Sequence, residues 1–432
     1  KVNADNAAFA GTHGANAAQV RNRVGALLAQ PQNIQLRAGV EVIQADPTAD
    51  MVVTGNTLAG GWNLTSFDAL GNALAQPTGA PVNLTLRAAG NLAVRASISD
   101  GFVPSGVAPT SAAAASKISP AAVVAQVGGA YLDGARIRLI GGADLGAADV
   151  MTTQASAYAG DVTIGSAGKD VLIRSTTGTV EIAAGRDITL SNRRAVVYTT
   201  GKPVDDAPGY IGKSYQPASY LTGSTGAQSA ILAGGGGVLV QASRDVLGAT
   251  DSAPQYAAEW LWRGLDSAGG QPAWWARYDR FKQGFATFGG GNVSVAAGRD
   301  ALNVEASAAS SGYVAHDAAG NLAGLRRNGG GDLSLTAQRD ITGGLMLDDA
   351  AEGRHPDCAQ RAQHQFCGRC DGAAAPARQQ PGGRGGPQRP RPRPRHLVRP
   401  DPGHQAGRRA AADHLHHRTG NAGDPAGRGR CG

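Results

Sequence analysis

Cysteine is absent from the first 350 residues of this 432-residue chain; Cys358, Cys367, Cys370 and Cys431 all lie beyond them. A long body without thiols is not a disulfide-stapled scaffold, and it suits a chain threaded outward through a narrow pore, where disulfides would obstruct passage. Aromatic residues make up only 5% of the sequence, against 63 glycines, which suits repetitive β-structure better than a compact α/β enzyme. No run approaches eighteen consecutive apolar residues, so no helix can span a membrane. The net charge of +7 hides a division. Residues 351–432 hold 15 Arg, no Lys and 6 acidic residues; the rest of the chain holds 25 basic and 27 acidic. The nearly neutral body lacks the basic stripe that a nucleic-acid-binding face needs, its only pairs being Arg193-Arg194 and Arg326-Arg327. Specific nucleic-acid binding is therefore not expected.

What is present is a repeat. The stretch 289–304, GGGNVSVAAGRDALNV, reads as glycine lead-in, strand, Gly-Arg-Asp turn and second strand, with Val293, Val295, Leu302 and Val304 at period two. Close copies occupy 178–188 and 331–341, and looser ones 160–171, 237–246, 82–92 (with Asn91 at the Asp position) and 33–42. One copy offers two or three inward aliphatic side chains, too few for a core, so copies must stack to be stable. Apolar and polar residues alternate, burying one strand face and wetting the other. The fold expected is an all-β, right-handed parallel β-helix. It covers residues 1–349, with insertions at 102–129, 202–230 and 255–288. The copies end at Asp170, Asp187, Asp245, Asp300 and Asp340, whose first interval reads as one coil and whose longer ones read as several coils or one coil with a loop. These five Asp are expected to cap turns through local hydrogen bonds.

The copies, together with 174–201 (RSTTGTVEIAAGRDITLSNRRAVVYTTG) and 272–300 (PAWWARYDRFKQGFATFGGGNVSVAAGRD), resemble the carboxy-terminal region of filamentous-haemagglutinin-type exoproteins. These are bacterial surface adhesins exported by two-partner secretion. The resemblance extends over about residues 30–347 and is specific in the two quoted segments. It implies a secreted or outer-membrane-associated protein without catalytic activity or cofactor. Its implied partners are glycans or proteins of host or neighbouring cells and, during export, an outer-membrane transporter. Lys1 is not an initiator Met and no charged-then-apolar leader follows, so the sequence reads as an internal fragment.

Residues 255–288 hold four of the five tryptophans, Trp260, Trp262, Trp274 and Trp275, along with Tyr278, Phe281, Phe285 and Phe288. Steps of three and four residues near 274–285 predict a short amphipathic helix against the stack. The five residues Trp260, Trp262, Trp274, Trp275 and Tyr278 are the candidate binding residues, as stacking platforms for sugars or anchors for a protein; the competing reading buries the rings as cover. No catalytic residue is assigned. The alternatives are a polysaccharide lyase or hydrolase on the same scaffold, which needs converging charged groups in one groove, and a passive stalk.

Beyond residue 349 the alternation stops and Arg, Pro, His, Gly and Gln take over, a composition that cannot offset its ordering entropy, so disorder is expected at 350–432. Its abrupt onset fits translation of a shifted reading frame. His355, Cys358, His364, Cys367 and Cys370 have ligand-like spacing, but a second Cys-x-x-Cys is missing and no metal is assigned.

Overall fold

In the computed structural model of the chain, the residues described are 39–348, apart from 56–58, 77–79, 105–108, 156–158, 205–230, 251–259, 266–271, 283 and 318. The chain divides into compact units 1–374 and 375–432, and every described residue lies in the first. The expectations for 1–38, for most of the 202–230 loop and for the 350–432 tail fall outside the described residues.

Among the described residues seven coils stack into a parallel β-helix of three seven-stranded sheets. The first sheet takes strands 39–44, 83–88, 137–141, 180–184, 238–242, 293–297 and 333–337. The second takes 51–53, 92–94, 162–164, 188–190, 246–247, 301–302 and 341–342, and the third 61–63, 97–99, 171–175, 195–199, 284–287, 305–308 and 345–348. Each strand pairs with its equivalents on the neighbouring coils, so main-chain hydrogen bonds run from coil to coil. No coil can satisfy its backbone alone, which is the structural reason for the repeat.

Register turns the period-two pattern into columns. Val42, Leu86, Leu139, Ile182, Val240, Val295 and Leu335 form one such column along the first sheet. Its five middle members are fully buried, whereas Val42 at one end is 38% exposed and Leu335 at the other is partly exposed. On the third sheet Ile98, Ile173, Val197, Phe285 and Ala306 are stacked likewise. Phe285 is thus a core residue of the fifth coil, and the insertion before it ends earlier than the 288 expected.

The glycine lead-ins have a steric cause. A Cβ on Gly178 would stand 1.8 Å from the Ala135 carbonyl oxygen, and one on Gly236 would stand 2.4 Å from that of Gly178. Gly291 and Gly331 repeat the relation at 2.3 and 2.1 Å, each against the equivalent glycine one coil earlier. Coils pack backbone on backbone at this corner, leaving no room for a side chain.

The intervals Asp187 to Asp245, Asp245 to Asp300 and Asp300 to Asp340 are one coil each, with insertions accounting for every excess, whereas Asp170 to Asp187, expected to be one coil, runs from the corner before the third sheet to the corner before the second. The first excursion, after the second coil, pairs 102–103 with 123–124, includes a short helix at 112–115 and ends in a hairpin at 126–131. A second, 142–159, left unmarked in the sequence, lays Leu145 and Met151 over Ile140 and Ala183 outside the first sheet. Strands 261–265, 272–276, 310–316 and 322–329 build an antiparallel lateral sheet. The amphipathic helix expected near 274–285 is therefore a strand, a short 3-10 turn at 278–280 and a coil strand. Aromatic steps of three and four arise here because alternate ring positions serve two different faces rather than one helical stripe.

Candidate binding surface and the arginine–aspartate ladder

The outer face of the third sheet is closed by a second apolar cluster. Phe102, Ala122 and Val124 arrive from the insertion after the second coil, Leu232 from the one that follows the fourth coil, and Trp260, Ala276, Tyr278 and Phe281 from the one that precedes strand 284–287. They meet Leu172, Val196, Tyr198, Ala286 and Phe288 of the coils. The rings are packed edge to face: Trp260 to Phe281 at 5.3 Å, Trp260 to Phe288 at 5.6 Å and Phe281 to Phe288 at 5.4 Å between centroids. Such contacts add about 0.5–1.5 kcal/mol each to the area buried. Tyr278 donates its hydroxyl to the Ala122 carbonyl at 3.0 Å, tying two insertions together, and burial pushes its phenol far up.

Trp260, Trp275 and Tyr278 are buried and offer no ring face to a ligand. Trp275 packs with Ile231, Ala273 and Tyr313 inside the lateral sheet. Its neighbour Trp274 points to the opposite face, is partly exposed, donates Nε1 to Ser310 Oγ at 3.3 Å and lies so close to Gly312 that a Cβ there would stand 2.3 Å from the ring. Trp262 pairs in register with Trp275, and its side chain lies outside the described residues. Of the candidate rings with a described side chain, Trp274 alone reaches the surface. Beyond it the lateral sheet ends in strand 322–329, exposed from Leu322 to Arg327, with Leu322 69% and Leu325 64% exposed.

Arg174 and Asp100 are buried ionisable groups of the third and second coils. Arg174 is 1% exposed, donates to Ser99 Oγ (2.8 Å) and Tyr198 Oη (3.0 Å), and stacks 4.2 Å from the centre of the Phe102 ring. Asp100, at the exit of the second coil, accepts from Thr65 Oγ1 at 3.0 Å and from the Ala135 amide at 2.7 Å. Burial outweighs those bonds and pushes its carboxyl up to about 6.

The repeated Asp residues form a continuous column. Asp187 Oδ1 accepts Arg244 Nε at 2.6 Å and the Asp245 amide at 3.0 Å, while Oδ2 accepts Arg244 Nη2. Asp245 binds Arg299 and the Asp300 amide in the same way, and Asp300 binds Arg339 and the Asp340 amide. Each carboxylate thus clamps the next coil, so the local capping expected at Asp187, Asp245 and Asp300 is an inter-coil bond instead. For Asp187, burial raises the carboxyl, but Arg244, the Asp245 amide and Arg186 together hold it below the usual carboxylate range. Arg339 does the same for Asp300.

Asp170 stands outside this column. Its place on the third coil belongs to Asp161, which accepts Arg186 Nε at 2.6 Å and the Asp187 amide at 3.1 Å. Asp170 sits instead between the second and third sheets, 3.9 Å from Arg194. A strand-turn-Asp-strand pattern occurs at both corners, and sequence cannot tell one corner from the other. Asn91 continues the column downward, accepting the Gly160 and Asp161 amides and donating to Asp50 at 2.9 Å. Glu181, on the outer face of the first sheet, is a further ion-pair centre missed in the sequence, binding Arg136 and Arg138.

Among the described residues no three His, Cys, Asp or Glu side chains are grouped to hold a metal, and no helix is long and apolar enough to cross a membrane. No protein-family model matches the chain, and no curated protein or solved structure is significantly similar to it.

Proposed function

We propose that this chain is a segment of a secreted bacterial adhesin of the filamentous-haemagglutinin type, attaching without catalysis to glycans or proteins of host or neighbouring cells. The observation that carries the reading is the lateral antiparallel sheet, anchored by a buried aromatic cluster on one flank of a β-helix and presenting an exposed outer strand at 322–329. An insertion with so large an anchor holds a surface at fixed geometry, which is what attachment requires. The two segments that carry the family resemblance map onto the fourth coil and onto the join between the lateral sheet and the fifth and sixth coils. On the outer face of the first sheet the Glu181 carboxylate is taken up by Arg136 and Arg138, and the row continues through Leu239, Ser294 and Ser334 beside Gln241, Ala296 and Thr336, a surface that supports attachment over carbohydrate turnover. Export would use an outer-membrane transporter of the two-partner type, placing the protein outside the cell or on its surface.

The test is binding of the full chain to whole cells and to a glycan array. Saturable binding that falls at least tenfold in a Trp274→Ala, Leu322→Ser, Leu325→Ser variant, with an unchanged thermal midpoint, is the expected result. A folded chain that binds nothing would replace the adhesin with a stalk, and turnover of a polysaccharide would replace it with an enzyme.

A further inference from the structure

The ladder has a direction, and its last described carboxylate is partly exposed. Every Asp from Asp161 to Asp300 is clamped by an Arg and an amide of the following coil. Among the described residues Asp340, the seventh rung, meets only its own neighbour Arg339, at 3.8 Å, and its side chain is 42% exposed, against 8% for Asp245 and Asp300. Around it the same face is unfinished: Leu335 and Ile341 are only partly buried, where Val295 and Ala301 directly beneath them are 0% and 1% exposed. The first described coil lacks the matching donor, because Ala49 precedes Asp50 where later coils have Arg186, Arg244, Arg299 and Arg339.

We infer that the face formed by strands 333–337, 341–342 and 345–348 is a docking surface for a β-coil of another polypeptide, one that carries Arg followed by Asp at the ladder position. Continuity decides the partner. Four successive interfaces in this molecule use the same Arg clamp, and Asp340 presents the acceptor half of a fifth. A second copy offers no such pair at its leading end, since its first described coil would bring Ala49 and residues 1–38 contain no Arg-Asp sequence, so the surface selects a different β-solenoid chain whose leading coil supplies the guanidinium. The bidentate geometry makes Arg, rather than Lys, the required residue. This inference does not depend on the adhesive role.

The probe is a peptide spanning residues 176–199, which is one complete coil with its entry turn and Arg186, added to the full chain; the readout is amide hydrogen exchange over 333–348. Because a free peptide must order itself to bind, the same segment is also inserted after Asp348, where tethering raises its effective concentration. Exchange over 333–348 should slow about tenfold with either form, and the Arg186→Ala form of the probe should lose most of that protection. Absence of protection from both forms would overturn the docking surface, and equal protection from the Arg186→Ala form would overturn the selection for Arg. Self-association of the unmodified chain that protects 333–348 would make the partner a second copy. In the unmodified chain, Asp340→Asn should leave the thermal midpoint in place while Asp300→Asn lowers it. Equal losses would show that Asp340 is already engaged within the chain, which also overturns the proposal.

Discussion

The coil stack and the lateral cover on its third flank are stabilised by different logics. In the stack, contacts run between equivalent residues of neighbouring coils, so each interface resembles the next and a defect is shared with the coils on either side. In the cover, Phe102, Leu232 and Trp260 come from three insertions and meet once, without repetition. A repeated interface tolerates drift in sequence as long as period and corner glycines persist. The single aromatic meeting has no second copy to support it.

The largest expected effect separates the two regions. Trp275→Ala should cost about 3–5 kcal/mol locally, since it empties a fully buried site. Exchange protection should be lost across 261–329 while strands 180–184 and 188–190 keep theirs; loss in both regions would mean that cover and stack unfold as one. Ile182→Ala, in the middle of the longest inward column, should cost about 2–4 kcal/mol, and its effect should spread to the strands at 137–141 and 238–242. A loss confined to 180–184 would contradict the nearest-neighbour picture.

Acid should divide the stack itself. Asp100, with a folded-state value of about 6 against an ordinary 3.8, gives stability that is full below the ordinary value and is lost as pH rises through about 6. On the order of 2–3 kcal/mol is involved. Asp187 and Asp300 are shifted down, so their contribution is present above the ordinary carboxylate value and is lost as pH falls below it. Denaturant melts followed by exchange, corrected for intrinsic rates, should show strands 97–99 strengthening from neutral pH toward pH ~4 and strands 188–190 and 246–247 weakening below that. Parallel behaviour at both places would remove the distinction. Smallest is the rung itself: Asp187→Ala should cost about 1–2 kcal/mol by orphaning the Asp245 amide. Asp170→Ala, outside the column and partly exposed, should stay within about 0.5 kcal/mol. Chemical denaturation of the two variants side by side measures the difference.

The repeat was legible in the sequence because period-two aliphatics and a corner glycine are local requirements. The 289–304 and 178–188 copies read correctly as strand, turn, strand for this reason. The phase of the degenerate copies was not legible. Asp170 and Asp161 both directly precede a strand, and only pairing with Arg186 on the next coil separates them. Aromatic spacing misled at 274–285, where a strand edge, a 3-10 turn and a coil strand happen to imitate a helical stripe. The hairpin 310–329 carried no mark at all, since exposed hairpins need neither a buried period nor an unusual composition.

Composition and period alone determined that this protein is a stack of β-coils, with glycine at the tight corner and a near-neutral surface without thiols over its first 350 residues. Those features follow from the chain's own geometry and need no distant partner. Only the tertiary structure decided that the Arg-Asp pairs join coils rather than cap turns, that most of the aromatic insert is cover rather than display, and that Asp340, the last described rung, is left partly exposed. Each of these depends on which residues, 25 to 156 positions apart, arrive at the same place. That is set by insertion length and register, which no local pattern encodes.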